Sequence, residues 1–278
     1  MGIHHAAMFL WEIVPMWIHV VLGFITGITF PIMAFFVVEG FRRTKNIKRY
    51  MLRLLIFATI AQFPYMLAFG QTQLNIIFTI FIALCCLILH KKLCVEKKET
   101  GIFVVLFVLI NIAATTVSEG GVLAIILIYL FYIIKNEMKR RTIPLVVWGS
   151  LNAGLTLMSR LAIVFVRFVE ENLGMDIMTG AFAYADVQGA AGWGLMQMTL
   201  FTIPIGTFLI IPLLRAYNGE LGRRAKYLFY TFYPLHFVII VIIAYALGLT
   251  DLSIAPHWIV LIGEAFMEGF NYGLGNMP

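Results

Sequence analysis

Long apolar runs limit what this chain can fold into. Runs of mostly apolar residues lie near 18–38, 54–69, 74–89, 102–117, 121–134, 143–166, 193–214, 226–248 and 255–270, after a shorter one at 3–14. A membrane-crossing helix needs roughly 20 such residues. Because 62% of the residues are apolar and 12% are charged, a soluble core could not bury these runs. We predict an all-α polytopic bundle with about 9–10 membrane segments and a single integral-membrane domain over 1–278.

The basic residues indicate how such a bundle is oriented. Eighteen of the 20 Lys and Arg residues fall on alternate connections, in clusters at 42–53, 91–98, 135–141 and 215–226. The positive-inside rule predicts that these connections are cytoplasmic and the others outside. We therefore expect a multipass protein of the cell (plasma) membrane. Its net charge of +6 reflects this topology and attraction to anionic membrane lipids, so no nucleic-acid partner is expected.

Three other features carry little chemistry. The cysteines at 85, 86 and 94 match no metal or disulfide spacing, so neither a metal nor a disulfide is expected. The Gly-rich run at 189–194 has no phosphate-loop spacing and is predicted to be a flexible outer connection. The N-terminus lacks signal-peptide features, so its first hydrophobic stretch is expected to remain in the mature protein.

His236 is the foremost ionisable candidate. It follows Lys226 by about ten residues, or about 15 Å of helix, which places it near mid-bilayer. Pro234 frees a backbone carbonyl beside it, and Tyr230 and Tyr233 supply phenols. An ionisable residue at this depth indicates either a functional site or a neutral histidine that bridges two helices.

Glu39 and the first histidines are further candidates. Glu39 directly precedes a basic cluster, so it either pairs with Arg42 or Arg43 or orients a catalytic group. His4 and His5 point about 100° apart if they lie on a helix, so at most one readily faces a given site.

Arg160 and Asn75 have two interpretations each. Arg160 either pairs with Glu170 or Glu171 or binds an anionic substrate. Asn75 and Asn111 are expected to join helices by hydrogen bonds, and Asn75 is also a candidate donor to a reacting oxygen.

The basic cluster at 42–53 has two interpretations: it marks a cytoplasmic loop, and it could also bind an anionic ligand. Arg and Lys side chains there could capture the phosphates of CoA through charge-assisted hydrogen bonds. The candidate CoA-binding residues are Arg42, Arg43, Lys45, Lys48, Arg49 and Arg53.

Several stretches resemble the TraX family of membrane proteins. They are 30–58 (FPIMAFFVVEGFRRTKNIKRYMLRLLIFA), 62–65 (QFPY), 74–79 (LNIIFT) and 226–236 (KYLFYTFYPLH). The resemblance implies acetyl transfer from acetyl-CoA, since the family's founding member acetylates the amino terminus of conjugative pilin. The positions it implies as functional are Glu39, Arg42, Thr44, Arg53, Pro64, Asn75, Tyr233 and His236.

Two departures from the family pattern stand out. The family's Asp-His pair in the first helix appears here as His4-His5, and an Arg shortly before the Phe-Pro pair appears as Gly27. These changes suggest a divergent branch with a different acceptor, or a lost activity.

Together these observations predict a membrane-embedded acetyltransferase with acetyl-CoA as the acyl donor. The acceptor is an amine or hydroxyl of a peptide, sugar or lipid headgroup. His236 or His5 would remove the acceptor's proton, with Glu39 as a third catalytic candidate. The predicted substrate-binding residues are Asn75, Tyr230, Tyr233 and Arg160.

Two other functions stay open from the sequence. In a small-molecule transporter, His236, Glu39 and Arg160 would form a polar pathway. In a noncatalytic membrane partner of an export or conjugation system, His236 would be dispensable. The sequence leaves the acceptor and the oligomeric state undetermined.

Overall fold

The structure is a computed structural model that describes residues 15–69, 73–173, 189–220 and 226–246. Within these ranges the chain forms helices and no β-strand, which confirms the predicted all-α class. The predicted segments 3–14 and 255–270 lie outside the described residues, as do His4 and His5.

The helices follow the predicted apolar runs closely. They are α1 (Met16–Arg43), α2 (Ile47–Phe69), α3 (Ile76–His90), α4 (Thr100–Val117), α5 (Gly121–Ile133), α6 (Glu137–Arg140), α7 (Ile143–Leu173), α8 (Gly189–Ala216) and α9 (Lys226–Ala246), with a π-helical turn at Lys91–Glu96 after α3. The prediction of a flexible connection at 189–194 is wrong, because α8 begins at Gly189. Continuation of the α8 helix through this run satisfies its backbone hydrogen bonds, which outweighs the low helix propensity of glycine.

The chain is a multipass membrane protein. Among the described residues, four stretches are long and apolar enough to cross a membrane: Val20–Arg43, Ile47–Ala68, Ile76–Glu96 and Thr100–Val117. Shorter apolar helices lie at Gly121–Ile133, Thr202–Ala216 and Thr231–Ile243. Large apolar side chains such as Leu109 and Phe165 are exposed, as on a surface that faces lipid.

The core lies where α1, α2, α3 and α5 meet. Phe35, Leu84, Ile128 and Phe131 are fully buried there, and the rings of Phe35 and Phe131 contact edge to face. On the flanks of this core, α8 packs against α1 and α9 packs against α2.

Close packing of α1 on α8 explains one of the departures from the family pattern. A Cβ atom at Gly27 would overlap the carbonyl group of Ile203, and a Cβ atom at Gly206 would overlap that of Phe24. The hydroxyl of Thr207 also donates to the Gly27 carbonyl, at 3.1 Å. Small residues permit this backbone contact, so an arginine at position 27 would require α1 and α8 to separate.

Candidate active site

One group of charges joins the end of α1 to the short helix α6. We call this the charged end: Glu39, Arg43, Glu137, Arg140 and Arg141. Glu39 Oε1 lies 2.7 Å from Arg140 Nη1, while its Oε2 accepts hydrogen bonds from Arg43 Nε and Nη2, at 3.1 and 2.9 Å. Both carboxylate oxygens of Glu39 are therefore held by guanidinium groups.

Arg140 is the buried centre of the charged end. It is only 3% exposed, and its Nη2 donates to Glu137 Oε2 at 2.6 Å. Its guanidinium carbon lies 5.5 Å from the centre of the Phe35 ring, a cation–π distance. Two carboxylates and an aromatic ring thus compensate its buried charge.

Arg42 has a separate structural partner. Its Nη2 donates to the carbonyl oxygens of Tyr132 and Phe131, at 2.6 and 3.3 Å, where α5 ends. These carbonyls have no partner within their own helix, so Arg42 caps the C-terminus of α5.

The other predicted CoA-binding residues lie in the turn from α1 to α2 and on the first turns of α2. The side chains of Lys45, Lys48 and Arg49 are exposed, and Arg53 is partly exposed one turn further along α2. The Arg53 Nε atom is buried without a hydrogen-bond partner. Charged donors for an anion are thus present at this turn.

A cavity of about 600 Å³ opens beside the charged end. It is lined by Phe36, Glu39, Gly40, Arg43, Tyr217, Asn218 and Glu220. Arg43, one of the lining residues, also donates to the Gly219 carbonyl, at 2.8 Å. The lining combines aromatic rings with both signs of charge, so it suits a ligand that is partly apolar.

His236 lies in the interior, on the face of α9 that packs against α2. It is 6% exposed, and its Nδ1 lies 3.0 Å from the Phe232 carbonyl oxygen. A carbonyl can only accept, so Nδ1 carries the hydrogen, and Nε2 of the neutral ring carries the lone pair. This arrangement gives the ring the tautomer that a general base with reactive Nε2 requires.

Two tyrosines and a glutamate surround this part of α9. The Tyr233 and His236 rings are 5.3 Å apart, and Tyr65 of α2 contacts Phe237 at 5.6 Å. The Glu119 carboxylate interacts electrostatically with the phenols of Tyr65 and Tyr233. We call Tyr65, Glu119, Tyr233 and His236 the interior cluster.

Glu119 belongs to the turn between α4 and α5. Its burial raises the pKa of the carboxyl to about 6, although the nearby Ile76 N–H at the start of α3 partly opposes this shift. With a pKa of about 6, the carboxyl group is mostly ionised at neutral pH.

Asn75 holds the start of α3 in place. It is fully buried, and its Oδ1 accepts from Ile77 N at 3.0 Å, which caps the helix. Its Nδ2 donates to Ala58 O at 2.8 Å and to Gln62 Oε1 at 2.9 Å, which ties α3 to α2. A substrate oxygen would have to displace one of these partners to receive a hydrogen bond from Asn75.

The structure thus divides the predicted site residues between two regions. Glu39 and Arg43 lie at the charged end, where α1 meets α6 and the residues after α8. His236, Tyr233 and Asn75 lie where α9 and α3 meet α2. Arg160 lies on α7 and Tyr230 on α9, while His5 is outside the described residues. Among the described parts of the chain, no group of His, Cys, Asp or Glu is arranged to hold a metal ion.

Sequence reasoning missed two residues. Arg140 reads as one of several basic loop residues, and no sequence signal separates it from its exposed neighbour Lys139. Glu119 lies in one of the connections that the charge pattern predicts to be outside, and that pattern gives it no chemical role. The available signal was a carboxylate in a very short connection between two apolar runs.

The fold and this interior cluster define a multipass α-helical membrane protein with a buried histidine and tyrosine centre. The family described as "TraX protein" matches residues 1–244, so the chain belongs to the TraX family. A protein of Dichelobacter nodosus described as "Probable fimbrial assembly protein FimC, serogroup H1" is 27% identical over 252 residues, which cover 85% of this chain and 87% of that protein. No solved structure matches the chain.

Proposed function

We propose that this protein is a membrane-embedded acetyltransferase that moves an acetyl group from cytoplasmic acetyl-CoA to an amine or hydroxyl acceptor. The observation that carries the proposal is buried His236, whose Nδ1 contact with the Phe232 carbonyl directs the lone pair to Nε2. Membership of the TraX family supports the same chemistry. The name of the fimbrial assembly relative supports a role in a pilus or conjugation system, with a fibre subunit as one candidate acceptor.

The acyl donor would bind from the basic turn between α1 and α2. Lys45, Lys48 and Arg49 are exposed there and can form charge-assisted hydrogen bonds with the phosphates of CoA. About 18 Å of helix separates Arg53 from Tyr65 of the interior cluster. An extended pantetheine arm lying along α2 would carry the thioester inward over such a span.

His236 would then act as the general base. The acceptor's nitrogen or oxygen lone pair attacks the thioester carbon, and the new bond forms while the acceptor's proton passes to Nε2. The tetrahedral intermediate collapses as the C–S electron pair returns to sulfur. Nε2 gives the proton to the thiolate, which leaves as CoA. The Tyr233 hydroxyl is the candidate donor to the oxygen that becomes negative.

Glu39 has a different part in this proposal. Because Arg43 and Arg140 hold both of its oxygens, it would anchor α6 to α1 beside the cavity rather than take part in proton transfer. Arg42 would likewise have a structural role, because it fixes the end of α5 to α1 through the Tyr132 carbonyl. The charged end would hold the donor entrance in shape.

The test is transfer of label from radioactive acetyl-CoA to components of membranes that carry the protein. We expect transfer by the wild type and a loss of about 100-fold or more in His236→Ala. His90→Ala is the matched control, because His90 also uses its Nδ1, at 2.8 Å from the Tyr129 hydroxyl, but lies apart on α3. That variant should retain transfer.

Two results would contradict the proposal. Full transfer by folded His236→Ala would remove His236 from the base role. A wild type that neither transfers label nor binds acetyl-CoA, but carries a solute flux in its absence, would make it a transporter.

A further inference from the structure

The interior cluster contains two buried polar atoms that lack hydrogen-bond partners. They are Glu119 Oε2 and the Tyr233 hydroxyl oxygen. Tyr233 as a whole is 5% exposed. A buried polar atom without a partner costs about 1–3 kcal/mol, so two of them in one cluster require an explanation.

The protein backbone holds Glu119 firmly in this position. Its N–H donates to Leu74 O at 2.9 Å, and its carbonyl accepts from the Thr79 hydroxyl at 2.5 Å. Leu74 N–H in turn donates to Val117 O at 2.8 Å. The turn between α4 and α5 is therefore fixed to the start of α3, and the carboxylate is directed toward Tyr233 by the fold.

Both side chains face the same backbone group. The Glu119 carboxylate and the Tyr233 hydroxyl each approach the Ile76 N–H, yet neither Glu119 Oε2 nor the Tyr233 oxygen completes a hydrogen bond. An unpaired acceptor and an unpaired hydroxyl donor thus lie together, one turn of α9 from His236. Within the ranges that the structure describes, no ion pair includes Glu119.

We propose that Glu119 is a further binding residue of the reaction centre, and that its carboxylate accepts a hydrogen bond from the N–H or O–H of the acetyl acceptor while Tyr233 donates to the thioester carbonyl. Bound reactants would then supply the partners that both atoms lack. This inference rests on the proposed function and adds the residue that holds the acceptor. His236 keeps the proton-transfer role.

The assignment predicts a selective defect in Glu119→Gln. The variant keeps the side chain's size but removes the negative charge, and the new amide nitrogen cannot accept. We expect label transfer from radioactive acetyl-CoA to membrane components to fall about tenfold or more. Acetyl-CoA binding should stay within about twofold of the wild type, because Glu119 is assigned to the acceptor and not to the acyl donor.

Glu96→Gln is the matched control, because it makes the same change at an exposed position after α3. It should transfer label as the wild type does. Thermal unfolding in detergent, measured on both variants, separates a positioning role from a structural one. A loss of transfer in Glu119→Gln that matches its loss of folded protein would overturn the assignment.

A double variant tests whether both groups act on one pair of reactants. We expect Glu119→Gln with Tyr233→Phe to lose less transfer than the product of the two single losses. Normal transfer by Glu119→Gln, beside an active wild type, would overturn the Glu119 assignment alone. An inactive wild type would overturn the proposed function and this assignment together.

Discussion

The charged end and the interior cluster differ in how their buried carboxyl groups are paired, although Arg140 Nε and Arg141 Nε at the charged end also lack hydrogen-bond partners. At the charged end, Glu39 and Arg140 are 7% and 3% exposed, and the Glu39 carboxylate is paired on both oxygens. In the interior cluster, Tyr233 is equally buried, yet its hydroxyl has no hydrogen-bond partner, and neither has Glu119 Oε2.

This contrast separates two uses of a buried polar residue. A satisfied pair contributes to the fold, and breaking it leaves a charge without compensation. Buried polar atoms without hydrogen-bond partners lower the stability of the fold. Such atoms are retained where a bound molecule supplies the missing hydrogen bonds. The first region should therefore respond to mutation in stability, and the second mainly in activity.

Arg140→Ala should have the largest effect on stability. It leaves Glu39 and Glu137 without their central partner, and one-sided loss of a buried ion pair costs about 3–5 kcal/mol. Denaturant unfolding in detergent micelles measures this free energy. Lys139→Ala, at the exposed neighbouring position, should change it by less than about 0.5 kcal/mol. Equal stability of the two variants would show that the ion pairs of the charged end do not stabilise the fold.

Asn75→Ala should have the next largest effect. The change removes a helix cap and leaves Ala58 O and Gln62 without the amide that joins α3 to α2, for a cost of about 2–3 kcal/mol. Asn136→Ala is the control, since Asn136 caps α6 at an exposed position, with Lys139 N at 3.0 Å. It should cost about 1 kcal/mol. A larger loss for Asn136→Ala would contradict the role of Asn75 as a buried link.

Glu119 should make stability depend on pH in mildly acidic solution. Its pKa is raised by burial from 4.5 to about 6, so between these values the folded protein holds a proton that the unfolded chain has lost. The stability from this group is therefore greatest below about pH 4.5 and falls by about 1–2 kcal/mol as pH rises through 6. Thermal unfolding at several pH values measures the change. In Glu119→Gln the stability should depend much less on pH between 4.5 and 6. An unchanged pH dependence in this variant would show that another group causes it.

Tyr233→Phe should have the smallest effect on stability. It removes a hydroxyl that has no hydrogen-bond partner, so the free energy of unfolding should stay within about 1 kcal/mol or rise slightly. Acetyl transfer should nevertheless fall about tenfold or more. Tyr50→Phe is the control, because the Tyr50 hydroxyl donates to Val37 O at 3.4 Å away from the cluster, and transfer should continue. A strongly destabilised Tyr233→Phe would show that its hydroxyl is structural.

The helices were predictable because lipid imposes long apolar segments. The run near 226–248 gave α9, and with it the burial of His236 beside Tyr233. Tertiary pairing was not predictable, because it depends on side-chain fit between helices that all look alike in hydropathy. Glu39 shows this, since its pairing with the nearby Arg43 was predictable, whereas its second partner Arg140 lies about a hundred residues further along the chain. The sequence alone likewise indicates only that Gly27 replaces an arginine. Its close contact with Ile203 supplies the structural reason for a glycine there.

The most direct test compares His236→Gln with Glu39→Gln for acetyl transfer per folded molecule in lipid vesicles. Each variant removes one titratable group from one of the two regions and keeps a similar side-chain size. We expect His236→Gln to lose about 100-fold or more of the transfer, because Nε2 no longer takes the acceptor's proton. Glu39→Gln should lose stability and keep its turnover within a few-fold. Loss of turnover in folded Glu39→Gln, with transfer retained by His236→Gln, would place the reaction at the charged end instead.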